Sequence, residues 1–219
     1  MNPPSLQVSP SPGLPSQFRP LTLDSFIGPA RAEAGLIAKL IQLSLANGAP
    51  QKWLILGPPG IGKSALSNFI VHAYGGTRWT TARFNGKQMG LDQMEQLAHD
   101  YHFTSLFDGF RVVQIEEADR ITKDAQVRFL TFLDDLPKFT AVVCTSNCSE
   151  SEFEERFQRR FKVVNLLPPG PGDIEALLLK LGTPPAAARH ISIMACGNVG
   201  LALEDADTAV ADTITLKAA

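Results

Sequence analysis

Residues 57–64 read Gly57-Pro58-Pro59-Gly60-Ile61-Gly62-Lys63-Ser64, a full match to G-x-x-x-x-G-K-[ST]. Small residues at these positions let successive backbone N–H groups wrap a polyphosphate, and a helix beginning at Lys63 adds the favourable end of its dipole. A lysine at the seventh place reaches the β- and γ-phosphates, and the hydroxyl at the eighth ligates Mg²⁺. A glycine turn could precede a helix by chance, but here a buried-strand pattern, Trp53 to Leu56, runs directly into it. The expected nucleotide contacts are therefore Gly57, Pro58, Pro59, Gly60, Ile61, Gly62, Lys63, Ser64 and Ala65, with Ser64 also a metal ligand. Such a loop specifies a bound nucleotide and leaves the reaction open.

A second group is acidic. Arg111 to Asp119 reads RVVQIEEAD, which puts Glu116 and Glu117 side by side at the C-terminal end of an expected strand. Open α/β sheets bind ligands along that edge. One carboxylate can anchor the Mg²⁺ shell while its neighbour polarises an attacking water. An acidic turn that merely caps the next helix would look the same in isolation; the phosphate loop upstream favours chemistry. Asn147 closes another apolar run, 140–146, where it can orient that water or simply make a turn. Arg159 and Arg160 end a mixed-charge stretch, where a helix C-terminus would favour cations with no catalytic role.

These side chains need a scaffold. Short apolar runs at 53–56, 79–84, 111–115, 140–145 and 162–166 read as strands, and helical spacing fills 28–47, 63–74, 91–101, 122–135 and 151–159. In the first helix Leu36, Ile37, Leu40, Ile41, Leu43 and Leu45 form the expected apolar face. Strands alternating with helices predict an α/β fold, a five-stranded parallel sheet covered on both faces. Pro168 to Gly172, PPGPG, breaks the chain before three short helical stretches at 173–181, 184–195 and 199–212. The expected organisation is a Pro-rich disordered tail over 1–17, a nucleotide-binding core over 18–168 and a small truncated helical lid over 169–214.

Composition removes other classes. Across 219 residues, 44% are hydrophobic and 19% charged, a globular balance. Twenty Lys and Arg against 22 Asp and Glu leave a net charge of −2, so any nucleic acid must be held by local contacts rather than bulk charge. No run is apolar enough to span a bilayer, and no basic-then-apolar leader opens the chain. The three cysteines, Cys144, Cys148 and Cys196, suit neither a disulfide framework nor a four-ligand zinc site. A cytoplasmic setting is expected.

The order of the motifs carries a resemblance. Residues 19–28, RPLTLDSFIG, resemble the opening segment of AAA+ ATPases of the clamp-loader branch. The phosphate loop, Glu116-Glu117-Ala118-Asp119, the Ala125-Gln126 pair, Asn147 and Arg160-Phe161 then follow in that family's order. The chain is similar to replication-factor clamp-loader subunits, and its Arg-Arg-Phe ending to Holliday-junction branch-migration motors. The resemblance implies ATP with Mg²⁺, an adenine pocket at Phe26 and Ile27, and Mg²⁺ on Ser64 and Glu116. It further implies Glu117 as the base, Asn147 as a γ-phosphate sensor and Arg160 (or Arg159) as a finger into a neighbouring subunit. It implies an oligomer of AAA+ subunits, with Gln126 on the helix that relays DNA contact. The net charge in turn expects that contact to be local and weak for the monomer, through helix-start N–H groups with Arg120 and Lys123.

Two departures bear on rate. Glu116 stands where the family has Asp, and Gly200 in Gly197-Asn198-Val199-Gly200 stands where it has a second-sensor arginine. The expected function is an oligomeric ATPase of DNA replication, recombination or a mobile-element equivalent, remodelling a DNA-associated partner. The alternative is a nucleotide-binding scaffold or switch subunit that scarcely hydrolyses.

Overall fold

The computed structural model describes residues 21–102, 109–148 and 155–218. The tail expected over 1–17, Arg19 and Pro20 of the opening segment, and 151–154 of the expected fifth helix lie outside the described residues. Five strands form the sheet: β1 (Gln51–Leu56), β2 (Thr81–Asn85), β3 (Arg111–Glu116), β4 (Thr140–Ser146) and β5 (Lys162–Asn165). Their order is β2-β3-β4-β1-β5, and every pairing is parallel. The helices are α1 (Gly28–Asn47), α2 (Lys63–Ala73), α3 (Leu91–His102), α4 (Lys123–Asp134), α5 (Glu155–Gln158), α6 (Pro171–Lys180), α7 (Pro185–Met194) and α8 (Val199–Ala218).

Alternate residues of each strand feed opposite layers, as the period of two requires. Leu54, Val113, Ile115 and Val142 pack with Phe129, Phe157 and Phe161 on the face that carries α3, α4 and α5. Trp53, Ile55, Val112 and Val143 pack on the other face with Ile37 and Ile41 of α1 and Leu66 and Ile70 of α2. Buried polar side chains interrupt this second layer. Gln114, 1% exposed in β3, donates through Nε2 to Ser67 Oγ at 2.8 Å and Asn68 Oδ1 at 3.1 Å, tying α2 to the sheet.

α1 begins with a proline in its first turn and ends where Gly48 takes a left-handed conformation (φ 69°), its N–H bonded to Ser44 O. Its buried face is narrower than the leucine pattern implies. Ala34, Ile37, Ile41 and Ser44 are buried, whereas Leu36, Leu40, Leu43 and Leu45 are exposed. At about 100° per residue these leucines stand to either side of the Ile37–Ile41 line, and only that line meets the sheet. Trp79, expected to open β2, instead sits in a turn that Thr77 O closes by accepting from Thr80 N and Thr81 N. The residue is 72% exposed, with the Arg78 guanidinium 4.2 Å from the ring centre. The last helix runs to Ala218 rather than stopping at 212.

α6, α7 and α8 share their own apolar cluster, built on Ile174, Leu178, Ile191 and Leu203, against which Ile27 packs. Among the described residues, no helix is long and apolar enough to cross a membrane.

Candidate nucleotide site

The register of the sheet gathers the predicted groups at one edge. Leu56 pairs with Ser146 and Asn85 with Glu116, so the loop after β1, the acidic end of β3 and the turn after β4 all emerge together. A cavity of about 370 Å³ opens there. Pro59, Gly60, Ile61, Gly62, Lys63, Ser64 and Ala65 line it from the phosphate loop, and Glu116, Glu117 and Asn147 from the neighbouring strand ends. Phe26 and Ile27 close the far side with Ala30, Pro169, Val199 and Leu203. Gly57 and Pro58 stand at the root of the loop and take part through their carbonyls.

Two of the phosphate loop's three glycines, Gly57 and Gly60, are needed for space. A Cβ on Gly57 (φ 148°) would lie 2.6 Å from Ile61 Cδ1 and 2.8 Å from Leu166 O. One on Gly60 (φ 78°) would meet Asn198 Oδ1 at 1.9 Å. Lys63 is 8% exposed, and its Nζ donates to Gly57 O at 2.8 Å and Pro58 O at 2.7 Å. Burial draws its pKa below the ordinary lysine value, and the nearby charge of Asp119 opposes that shift.

Phe26 is 5% exposed and meets Phe69 edge-to-face at 5.3 Å, which fixes the apolar wall. The helical segment reaches in from above. Asn198 caps α8 by accepting Leu201 N at its Oδ1, and Gly200 N donates to Gly60 O at 3.0 Å. With no side chain at 200, the first turn of α8 rests directly on the phosphate loop.

Glu117 takes a left-handed backbone (φ 54°, ψ 51°), rare for a residue bearing a Cβ. Its carbonyl lies where a Cβ on Gly86 would fall, at 2.0 Å, so the turn after β2 is fitted to it. Its Oε2 is enclosed without a hydrogen bond, and Lys87 Nζ stands 3.7 Å away. Sequence reasoning missed Lys87; its place directly after the strand neighbouring the acidic one was the available signal. It also missed Asp119 and Ser146, which hydrogen-bond at 2.6 Å between the acidic turn and the end of β4.

Arg160 is not brought into this cavity. β5 pairs Lys162 with Trp53 near the start of β1, so Arg160 stands at the opposite edge of the sheet. The length of β1, on the order of 17 Å at 3.3 Å per residue, separates it from the phosphate loop. It forks onto Asp134, Nε to Oδ1 at 2.9 Å and Nη2 to Oδ2 at 2.7 Å. Arg159 instead pairs with Glu155 within its own turn. Gln126 turns back to Ile121 O, and Arg120 pairs with Asp119 at 3.6 Å.

A glycine-rich loop with a buried lysine, sharing one cavity with paired carboxylates, is the architecture of a P-loop nucleotide-binding domain. The family described as "ATPase family associated with various cellular activities (AAA)" matches residues 53–169, more than half of the chain. The chain belongs to this family. No curated protein sequence matches this chain. Among solved structures, it is similar to the RuvB Holliday junction branch migration motor of Thermotoga maritima, at 20% identity and a TM-score of 0.73. The superposition covers 92% of this chain and 68% of that one. A point variant of the same motor superposes with a TM-score of 0.75 at 19% identity, over 93% and 68% of the two chains. At this identity the likeness establishes the AAA+ fold. The residues fit ATP with Mg²⁺: Ser64, Glu116 and Glu117 line one cavity, and Glu117 Oε2 is buried with no protein hydrogen bond.

Proposed function

We propose that this AAA domain works as an oligomer that binds ATP and Mg²⁺ at subunit interfaces and hydrolyses the γ-phosphate, remodelling a DNA-associated partner. The observation that carries the reading is the cavity that gathers Lys63 and Ser64 of the phosphate loop with Glu116, Glu117 and Asn147. Arg160 lies at the opposite edge of the sheet, outside its own cavity, which supports a role for it in a neighbouring subunit's site. In each site Phe26 and Ile27 pack the base, and the backbone from Gly57 to Ala65 wraps the phosphates. Lys63 exchanges its two loop carbonyls for β- and γ-phosphate oxygens. Ser64 and Glu116 would hold Mg²⁺, which supplies charge neutralisation on those oxygens. Asn147 orients a water in line with the γ-phosphorus, and Glu117 takes its proton as the new P–O bond forms and ADP leaves. Arg160 of the adjoining subunit offsets the developing charge, an effect worth roughly 10³–10⁵ in rate where it has been dissected.

The clamp-loader-like order of motifs and the fold shared with a branch migration motor both support a DNA-linked task, with contact through Arg120 and Lys123. We take 18–168 as the working core and 169–214 as its lid.

The deciding experiment mixes Lys63→Ala with Arg160→Ala, each inactive alone. Mixed interfaces pair an intact loop with an intact finger, so part of the turnover returns. No recovery despite proven co-assembly would refute the trans arrangement. The second reading, a switch subunit that holds ATP with little hydrolysis, draws on Glu116 and Gly200 and on the Lys87–Glu117 contact; it expects turnover to stay low at every protein concentration.

A further inference from the structure

We propose that Asp119 is a positioning residue that acts through Ser146 to fix the turn carrying Asn147 against the turn carrying Glu117. The inference rests on the reading of Glu117 and Asn147 as parts of one hydrolytic site.

Ser146 is the last residue of β4 and is 1% exposed. Its hydroxyl is used in both directions: it donates to Asp119 Oδ1 at 2.6 Å and accepts the Cys148 N–H at 3.0 Å. The second bond closes a tight turn around Asn147, and the first ties that turn to a different segment. Asp119 lies two residues beyond Glu117, in the short helical turn Ala118–Arg120. That turn is itself held, because Arg120 N donates to Glu117 O at 2.9 Å. Glu117 and Asn147 stand just past the ends of separate strands, β3 and β4, and the Asp119–Ser146 bond joins their two turns directly. A serine hydroxyl that can rotate has no fixed acceptor direction. With Asp119 in place the proton points to the carboxylate and the lone pair to Cys148, so the geometry of the Asn147 turn is set by the acidic turn. Misplacement of a reacting group by an ångström can cost about 100-fold in rate, which gives this bond its leverage on the chemistry.

A competing role, in which the Asp119 charge itself acts on the metal or the phosphates, is separable by chemistry. Asp119→Asn keeps an oxygen that accepts from Ser146 and removes the charge; Asp119→Ala removes both. Steady-state turnover and ATP-analogue affinity are measured for the whole chain with Asp119→Ala, Asp119→Asn, Ser146→Ala and the Asp119→Ala/Ser146→Ala double variant. Positioning expects Asp119→Ala and Ser146→Ala each to lose about 10- to 100-fold in turnover with affinity within about twofold. The double variant should be no worse than either single, and Asp119→Asn should stay within about threefold of the parent, since it keeps the acceptor. Hydrogen exchange at the Cys148 amide, without nucleotide, reads the same bond independently of hydrolysis. It should quicken in Asp119→Ala and Ser146→Ala and stay slow in Asp119→Asn. An Asp119→Asn variant as inactive as Asp119→Ala, an affinity that falls in step with turnover, or unchanged Cys148 exchange in Asp119→Ala each overturns the proposal. If the parent protein turns over no ATP, the hydrolytic reading fails and exchange alone decides whether Asp119 holds the turn.

Discussion

Lys87 Nζ stands 3.7 Å from Glu117 Oε2, an oxygen that is enclosed and has no hydrogen bond. The carboxylate that would take a proton from water is thus turned toward a cation on the neighbouring turn. The two side chains remain 59% and 34% exposed, so the attraction is that of a part-screened pair, about 1 kcal/mol at most. Releasing Glu117 should therefore raise turnover by no more than about fivefold. Lys87→Ala should show that increase in steady-state ATP hydrolysis with nucleotide affinity unchanged. A fall in turnover would mean that Lys87 helps to hold Glu117 in its working orientation.

Lys63 offers a firmer expectation. Its two bonds to Gly57 O and Pro58 O hold the ammonium inside the phosphate loop. Charge-assisted bonds of this kind are worth about 1.5–3 kcal/mol each. Losing two of them on the phosphates should weaken ATP binding by about 100-fold or more. Titration of Lys63→Ala with a fluorescent ATP analogue checks this, and near-normal affinity would dismiss the phosphate-loop assignment.

The sequence made the phosphate loop, the acidic strand end and the order of elements legible because each rests on local spacing. Strand alternation and the helix stop at Gly48 need only neighbouring residues, and the helix expected over 63–74 ends one residue early, at Ala73. What stayed hidden depends on register between strands far apart in the chain. Asp119 meets Ser146 across 27 positions, and Gln114 meets Ser67 across 47. The apolar face of α1 was misread for a related reason. Leu36, Leu40 and Leu43 fit a helical period, but the period cannot say which side the sheet will cover. Arg160 was legible as a candidate and not as a location, since its partner Asp134 sits on another helix.

The contact between Gly60 and the start of α8 makes a steric prediction. A Cβ at residue 60 would fall 1.9 Å from Asn198 Oδ1 in a left-handed conformation. Gly60→Ala should therefore push the helical segment off the loop and weaken nucleotide binding. Adding Asn198→Ala should recover part of that loss by removing the collision while leaving the backbone strain. At Gly200 the space is different, with Gly60 Cα at 3.7 Å from a built Cβ. Gly200→Arg should fit and bring a cation over the phosphates, tightening ATP binding. Affinity titrations of the three variants test both statements.

Alkaline titration reports on the core. The chain has two tyrosines, and burial raises both: Tyr74 in direction, and Tyr101 from the ordinary 10 to about 12. Tyr101 is enclosed between α3 and β3, its hydroxyl donating to Val112 O at 3.3 Å. A group that holds its proton more tightly when folded contributes stability that is complete below pH 10 and lost as pH rises toward 12. Stability should accordingly drop across that window, and tyrosinate absorbance should appear together with unfolding rather than before it. A smooth titration near 10 in the folded protein would show that neither ring is enclosed.

The last prediction concerns what holds Arg160. Its guanidinium is forked onto Asp134 and also donates through Nη1 to Arg156 O at 2.6 Å. The hydrogen bond from Arg160 keeps the Asp134 carboxyl below the usual carboxylate range. A depressed carboxylate stabilises the fold above its ordinary pKa and loses that contribution as pH falls through the lowered value. Asp134 and a neighbour's γ-phosphate would compete for the same planar fork, so weakening the first favours the second. Asp134→Asn should leave ATP affinity untouched and lower the protein concentration needed for half-maximal turnover. It should also cost a little stability at neutral pH, with the difference from the parent vanishing in acid. Arg160→Lys should lose turnover even in assembled protein, because an ammonium cannot reproduce the fork. Turnover followed against protein concentration, with melting at neutral and acid pH, separates the two roles. If Asp134→Asn requires more protein to reach half-maximal turnover, the fork presents Arg160 to the neighbour instead of restraining it.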